Sequence, residues 1–371
     1  MTTADDELGA WLRLSRTPGL GRAAVRRLLA ACGSPQAVFD AAPATWQTLI
    51  GAQAASSLRE PPDDLAPLLA ATREWLAADA ARHVIALGDE RYPASLLQTA
   101  DPPLLLYAQG GIELLAAPAV AVVGSRNPTA QGIDNARAFA QHLSQSGLTV
   151  VSGLALGIDG AAHEGALEGS GNTIAVMGTG VDRVYPARHR TLAHRIVAAG
   201  GLLLTEYDLG TPPLAENFPR RNRIIAGLAR GTLVVEAALP SGSLSTAHAA
   251  LEAGREVFAV PGSIHSPQSR GCHALIKQGA KLVESADDIT AELRWHSTSA
   301  VAAAPVGDDG AGDPRFGALL DALGHEPATL DALAARTGMG TAELNAQLLE
   351  LELDGRVARL PGALFQRRSQ V

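Results

Sequence analysis

Apolar positions along the chain fall into three regimes. Residues 1–80 are rich in alanine and leucine, with apolar side chains recurring every three or four positions, which predicts helices. From 81 to 295, short Val/Ile/Leu runs alternate with longer amphipathic stretches. The short runs, at 119–123, 149–152, 173–177, 202–205, 232–236, 256–260 and 281–283, are apolar at successive positions. A strand covered on both faces reads that way, so this block predicts a parallel sheet with helices such as 132–146, 192–199 and 245–253 between strands. The expected fold class is α/β, an extended Rossmann-like doubly wound sheet with its ligand site at the carboxyl ends of the strands. Residues 296–312 are small and contain Gly and Pro, as flexible linkers do. Helical spacing returns over 313–371, at 314–323, 330–337 and 341–354, with two short strands around Pro361-Gly362. That order fits a winged helix. No internal repeat is visible.

Length changes the picture little: 371 residues accommodate the three units. No apolar run is long enough to span a bilayer, and the opening MTTADDELGA lacks the basic and apolar regions of a signal peptide. A cytoplasmic protein without membrane partners is expected. Cys32 and Cys272 are too few for a disulfide framework or a four-cysteine zinc site and read as reduced packing residues. The formal net charge of −8 argues against a uniformly basic nucleic-acid binder, but a local patch can bind while the remainder stays acidic. Positive charge is carried by arginine, since Lys277 and Lys281 are the only lysines.

Candidate chemistry gathers at the predicted strand ends. Gly124-Ser125-Arg126 follows the first strand, Ser152-Gly153 the second, Gly178-Thr179-Gly180 the third, and Ser241-Gly242-Ser243 the loop after Glu236. Glycine lets a backbone approach phosphate, and free N–H groups at a helix start favour anions. A single such loop is an ordinary tight turn; four on one sheet edge point to an anion site. No dinucleotide fingerprint or P-loop is present, so no cofactor is expected. The segment Phe218-Pro219-Arg220-Arg221-Asn222-Arg223 places three arginines within four residues beside an aromatic. Guanidinium groups that cradle phosphate, with a ring that stacks on a base, hold single strands without reading sequence. A solvated charge cluster with Phe218 in the core is the plainer alternative. Asp159 and His163 sit at i and i+4 without a third metal ligand. Asp159 therefore reads as a helix cap and His163 as structural.

The ordered series GSR, SGLALGID with His163 and Gly165, TIAVMGTGVDRVYP, FPRRNRIIAGL, VVEA, SGSLSTA, GREVFAVPG and GCHALIKQGA resembles the DprA (Smf) DNA-processing family over roughly residues 85–290. The resemblance implies a non-enzymatic protein that binds single-stranded DNA and loads the RecA recombinase during natural transformation, as a homodimer formed through the Rossmann-like domain. It implies that Arg126, Arg221 and Arg223 contact phosphate. Gly124, Ser125, Ser152, Gly153, Gly178, Gly180, Phe218, Asn222, Ser241, Gly242 and Ser243 complete the expected DNA-binding set. Where the family commonly has asparagine after Tyr185-Pro186, this chain places His189.

At the N-terminus, Thr17–Arg22 followed by a helix with Arg26 and Arg27 resembles the helix-hairpin-helix and SAM-like domains of that family. The excess of acidic over basic residues in 1–80 favours a packing role for it. The third helix of the last block carries Glu343, Glu350, Glu352 and then Asp354, and no Lys or Arg. A helix that reads the major groove needs basic or amide side chains, so this one is not expected to grip DNA. The rival reading is a Rossmann-like phosphoribohydrolase. Those enzymes carry PGGxGTxxE, but this chain has PSGSLSTAHA, with Ala249 where the glutamate belongs. Without a carboxylate at that position an enzyme is disfavoured.

Overall fold

A computed structural model describes residues 3–295, 314–324, 327–360 and 362–367. The predicted linker at 296–312 lies outside the described residues. In the middle block, nine strands form one sheet: β1 (Arg82–Ala86), β2 (Leu105–Gly110), β3 (Ala119–Val123), β4 (Thr149–Ser152), β5 (Thr173–Val176), β6 (Leu202–Thr205), β7 (Gly231–Val234), β8 (Glu256–Ala259) and β9 (Lys281–Leu282). Their order is β1-β2-β6-β5-β4-β3-β7-β8-β9. All neighbours from β6 to β9 are parallel, while β2 runs antiparallel to β6 and β1 antiparallel to β2. From β3 the chain builds outward through β4, β5 and β6. The helix Asn217–Leu228 then carries it back to β7 on the other side of β3. This reversal opens a crevice outside the carboxyl ends of β3 and β7, the usual ligand position in such a sheet.

Both faces of the central strands are covered, which explains the uninterrupted apolar runs. Ala121, Val123, Val151, Ile174 and Val176 pack with Ile224, Ile225, Leu228, Ala247 and Ala250. Their neighbours Val120, Val122, Val150 and Leu233 pack with Phe139, Leu143 and Ala162 on the opposite side. The antiparallel pair β1 and β2 is an addition to the predicted strands. β1 begins with Arg82 and His83 and is mostly half-buried, so the apolar periodicity there is weak.

Among the described residues six helices precede the sheet, and their core is continuous with it. Trp11, Leu14, Val25 and Trp75 join Leu105, Tyr107, Met177 and Leu203 in one buried cluster. Tyr107 has no exposed surface, stacks edge-on against Trp75 at 6.1 Å, and donates its hydroxyl to Asp208 Oδ1 at 3.1 Å. Ions complete the joint. Arg22 reaches Glu206 Oε2 at 2.9 Å and donates through Nε to Asp101 Oδ2 at 2.7 Å, while Arg26 reaches Asp101 Oδ1 at 3.1 Å. Arg223 pairs with the same Glu206 carboxylate. Arg22 and Arg26 therefore face the sheet domain, in keeping with packing, while Arg27 is exposed and donates to Leu49 O at 3.3 Å within the helical block.

In the last block, helices Pro314–Leu323, Leu330–Thr337 and Thr341–Leu353 pack over a sheet of β10 (Ala328–Thr329), β11 (Val357–Leu360) and β12 (Leu364–Arg367), in the order β10-β12-β11. Phe316, Leu319, Leu333, Leu344, Leu348 and Phe365 fill its core. The whole is α/β with an N-terminal helical domain and a C-terminal winged helix. Two-residue β10 was not among the predicted strands.

The Glu206 side chain is only 5% exposed and serves two guanidinium groups from different domains. Glu206→Ala is expected to cost about 2 kcal/mol in urea unfolding, because it removes the buried carboxylate that Arg22 and Arg223 share and leaves both with Asp101 alone. A loss under about 1 kcal/mol would mean that the cluster is effectively solvated.

Candidate nucleic-acid interface

Four strand-end loops meet at the crevice, and each is fixed by its neighbours. After β3, Gly124 lies so close to Ile158 and the Glu236 carbonyl that an added Cβ would sit 2.7 Å and 2.9 Å from them. Ser125 N–H donates to Glu236 O at 2.7 Å, and Ser125 O accepts from Ile158 N–H at 3.1 Å. The Glu236 carboxylate accepts from Thr129 N–H at 3.0 Å and from its hydroxyl at 2.5 Å. Thr129 in turn caps helix Ala130–Gln145 through Gly132 N–H. A carboxylate at a helix start is favourable, so Glu236 ties the β3 and β7 ends together while complementing that helix. Arg126 is left exposed on the resulting ledge.

Phe218 stands in the first turn of helix Asn217–Leu228, half-buried. Gly178 lies directly behind it, where a Cβ would fall 2.8 Å from the ring. Tyr185 stands 5.6 Å from Phe218 between ring centroids at a 44° tilt, and is itself 50% exposed. The Arg126 guanidinium lies 5.8 Å from the Phe218 ring centre, within cation–π range. Across the crevice, Ser241 caps helix Gly242–Glu252, and Asn222 Nδ2 donates to Ser245 Oγ at 2.8 Å and Gly242 O at 3.2 Å. The result is an open cleft of about 700 Å³ with an aromatic–guanidinium platform on one wall and a serine-capped helix start on the other.

Gly124, Ser125, Arg126, Phe218, Arg221, Asn222, Ser241, Gly242 and Ser243 all line this cleft. Five other expected residues do not. Ser152 is fully buried, its hydroxyl donating to Val122 O at 2.6 Å. Gly153 lies behind the Arg221 guanidinium, and Gly178 behind the Phe218 ring. Gly180 faces Asp182 and the Asp208 carbonyl. Arg223 is held by Glu206 at the domain joint.

The arginine triplet corrects the expected single cradle. On a helix, successive residues turn by about 100°, so adjacent arginines cannot share a face. Arg220 points to solvent, Arg221 into the protein and Arg223 to the joint. Arg221 is 3% exposed and donates through Nη1 to Gly153 O at 2.7 Å and also to Val176 O. Burial pushes its guanidinium down to about 10, opposed by the charge of Asp159. Burial likewise raises the Asp159 carboxyl above the usual range, opposed by Arg221 and by N–H donors from Ala155 and Gly153. Asp159 is therefore not a helix cap: it closes the preceding loop, accepting from Gly153 N–H at 3.1 Å, while Gly157 occupies the cap position.

His163 is buried against Thr173, with Nδ1 2.8 Å from the hydroxyl. His189 bonds through Nδ1 to Leu154 O at 2.9 Å, bracing a buried residue held at φ 57°. Tyr185, Asn127 and Gln268 line the cleft although the sequence reading did not select them. For Tyr185 the available signal was a second aromatic in a strand-end loop. Among the described residues no group of three or more His, Cys, Asp or Glu could hold a metal, and no helix is long and apolar enough to cross a membrane.

Residues 83–294 match the sequence profile of the family described as DNA recombination-mediator protein A. Residues 301–363 match the DprA winged helix domain, and residues 5–59 the DprA-like N-terminal HHH domain. Protein Smf of Escherichia coli K12 is 46% identical over 291 residues, 77% of this chain and 78% of its own length. DNA processing protein DprA of Streptococcus pneumoniae is 50% identical over 207 residues, 56% of this chain and 73% of its own. The X-ray structure of DprA from S. pneumoniae superposes with a TM-score of 0.67 at 38% identity, covering 79% of this chain and 99% of that one. A Helicobacter pylori DprA structure, described by its single-stranded DNA binding mode, gives 0.52 at 30% identity, covering 58% and 98%.

Two expectations separate structural from surface groups. Arg221→Ala should cost about 3 kcal/mol in chemical denaturation, because it leaves Asp159 and two carbonyls uncompensated. Arg126→Ala should stay within about 0.5 kcal/mol of the parent. Equal effects would refute the division. Burial, with the nearby charges of His189 and Arg221, pushes the His163 imidazole down to about 3 from its ordinary 6.5. Between those values the unfolded chain binds a proton that the folded chain does not. Stability should therefore fall as pH drops below 6.5, by about 1.4 kcal/mol per unit from this group. His163→Gln should flatten the stability profile between pH 7 and 5; parallel profiles would show that the folded ring takes up the proton.

Proposed function

The chain belongs to the DprA (Smf) DNA-processing family, and from that premise we propose that it binds single-stranded DNA across the cleft and delivers it to the RecA recombinase. The observation that carries this reading is the platform of Tyr185, Phe218 and Arg126 beside a capped helix start. Every base has a π-face, so stacked rings accept any sequence, while backbone N–H groups and one guanidinium hold phosphate. Gly124, Ser125, Arg126, Phe218, Asn222, Ser241, Gly242 and Ser243 would touch the strand. Arg221, Gly153 and Gly178 would support the surface from behind, and Ser152, Gly180 and Arg223 would act through the fold.

Binding without catalysis is the favoured form of this function. Among the described residues Asp159 is the only carboxylate lining the cleft, and it is engaged with backbone N–H groups. Ala249 occupies the position where a phosphoribohydrolase would carry its glutamate. We further propose that residues 1–80, 81–295 and 313–371 serve as three units acting in the cytoplasm. The chain would pair with itself through the sheet domain, where β9 is an edge strand and Leu282 is 44% exposed.

Fluorescence anisotropy on a labelled single strand, with duplex as competitor and across a salt series, tests the reading. Phe218→Ala is expected to cost about 1–3 kcal/mol of binding if the ring stacks on a base. Arg126→Ala should reduce the slope of log affinity against log salt by about 0.7, the share of one phosphate contact. Unchanged affinity in both variants would remove the cleft as the binding surface. Displacement by duplex would remove the single-strand preference.

A further inference from the structure

The helix Thr341–Leu353 occupies the place that a winged helix commonly presents to DNA, and its exposed face is of another kind. Leu344, Leu348 and Leu351 are buried in the domain core. On the outer side, Leu349 is 57% and Leu353 80% exposed, four residues apart and so one above the other. Ala342 and Ala346 extend the same line toward the helix start, Ala342 and Ala346 being exposed as well. At about 100° per residue, these four positions fall within roughly 60° of one another. Glu352 flanks the stripe on one side, and Glu343, Glu350 and Asp354 flank it on the other. The helix itself carries no basic residue.

An apolar seam spaced 4-3-4 between charged borders has the form of one half of a coiled coil. Charge decides among possible occupants. Nucleic acid is disfavoured because the borders repel phosphate. A second copy would bring the same acidic borders together, which is likewise unfavourable. A helix with leucine-type side chains at the same spacing and lysine or arginine on its borders is complementary in both respects. We propose that this face is a docking surface for a basic, leucine-bearing amphipathic helix on another protein. The assignment stands independently of the DNA cleft, which lies on a different domain.

The test uses the full chain and a synthetic peptide of about three heptads, with leucine at a and d and lysine at e and g. Isothermal titration is expected to give a Kd on the order of 10 µM. Leu349→Ser/Leu353→Ser keeps the charge of the face and should weaken binding at least about tenfold, as loss of central apolar anchors does. The same peptide with glutamate for lysine should not bind. Should the double variant unfold, Leu353→Ala replaces it, since that side chain is largely in solvent. Binding within about twofold of the parent by the serine variant, or equal binding of the glutamate peptide, overturns the proposal. A smaller oligomer for the serine variant in sedimentation would assign the stripe to a second copy. Weaker single-strand binding by that variant would assign it to nucleic acid. Either result overturns the proposal too.

Discussion

The helix Asn217–Leu228 is turned inward by its buried Ile224, Ile225 and Leu228 and pinned to the strand ends by one buried guanidinium, and most of the cleft follows from that setting. Arg221 lies between the ends of β4 and β5, donating to Gly153 O and Val176 O, with Asp159 as its neutralising charge. With that residue fixed inward, helical geometry dictates the rest. Phe218, three residues earlier, emerges at the cleft against Gly178. Asn222, one residue later, reaches the serine-capped helix. Arg223 then turns to Glu206 and the N-terminal domain. One helix therefore holds the cleft wall, the sheet ends and the domain joint in a single register.

This linkage also explains which parts were legible beforehand. Strands β3 to β8 were readable because both of their faces are covered, so their positions are mostly apolar. Strand β1 was not, since it opens on Arg82 and His83 and is mostly half-buried; β2 is apolar and buried from Leu105 to Ala108, so burial does not account for its absence from the expected strands. The cleft itself was readable as glycine and hydroxyl residues at strand ends. The direction of each side chain was not, because sequence adjacency suggests a common face while a helix separates neighbours by about 100°. Glu236 shows the same limit. Its place in VVEA was apparent, but its role depends on Thr129, which is 107 positions away and brought near only by the pairing of β3 with β7.

The net charge of −8 becomes intelligible once the arginines are followed individually. Arg22, Arg26 and Arg223 neutralise Glu206 and Asp101 at the domain joint, and Arg137 pairs with Glu164. Arg221 is internal. These arginines serve the fold, and among the described residues Arg126 and Arg221 are the only basic side chains that line the cleft. On the proposed reading, an acidic protein with so little free charge at its cleft would not draw most of its affinity from counterion release.

That distribution favours stacking as the main source of affinity on the proposed reading. A phosphate contact in a single strand loses strength with salt, whereas a base on an aromatic ring loses little. The Phe218–Tyr185 pair offers about two such surfaces, each comparable to or stronger than a single exposed ion pair. Backbone donors at the start of the Gly242–Glu252 helix add anion contacts that need no side-chain charge. A binder built this way can hold single strands while repelling the stiff, densely charged duplex. The acidic surface then contributes to selectivity, and the arginines are free to keep the domains in register.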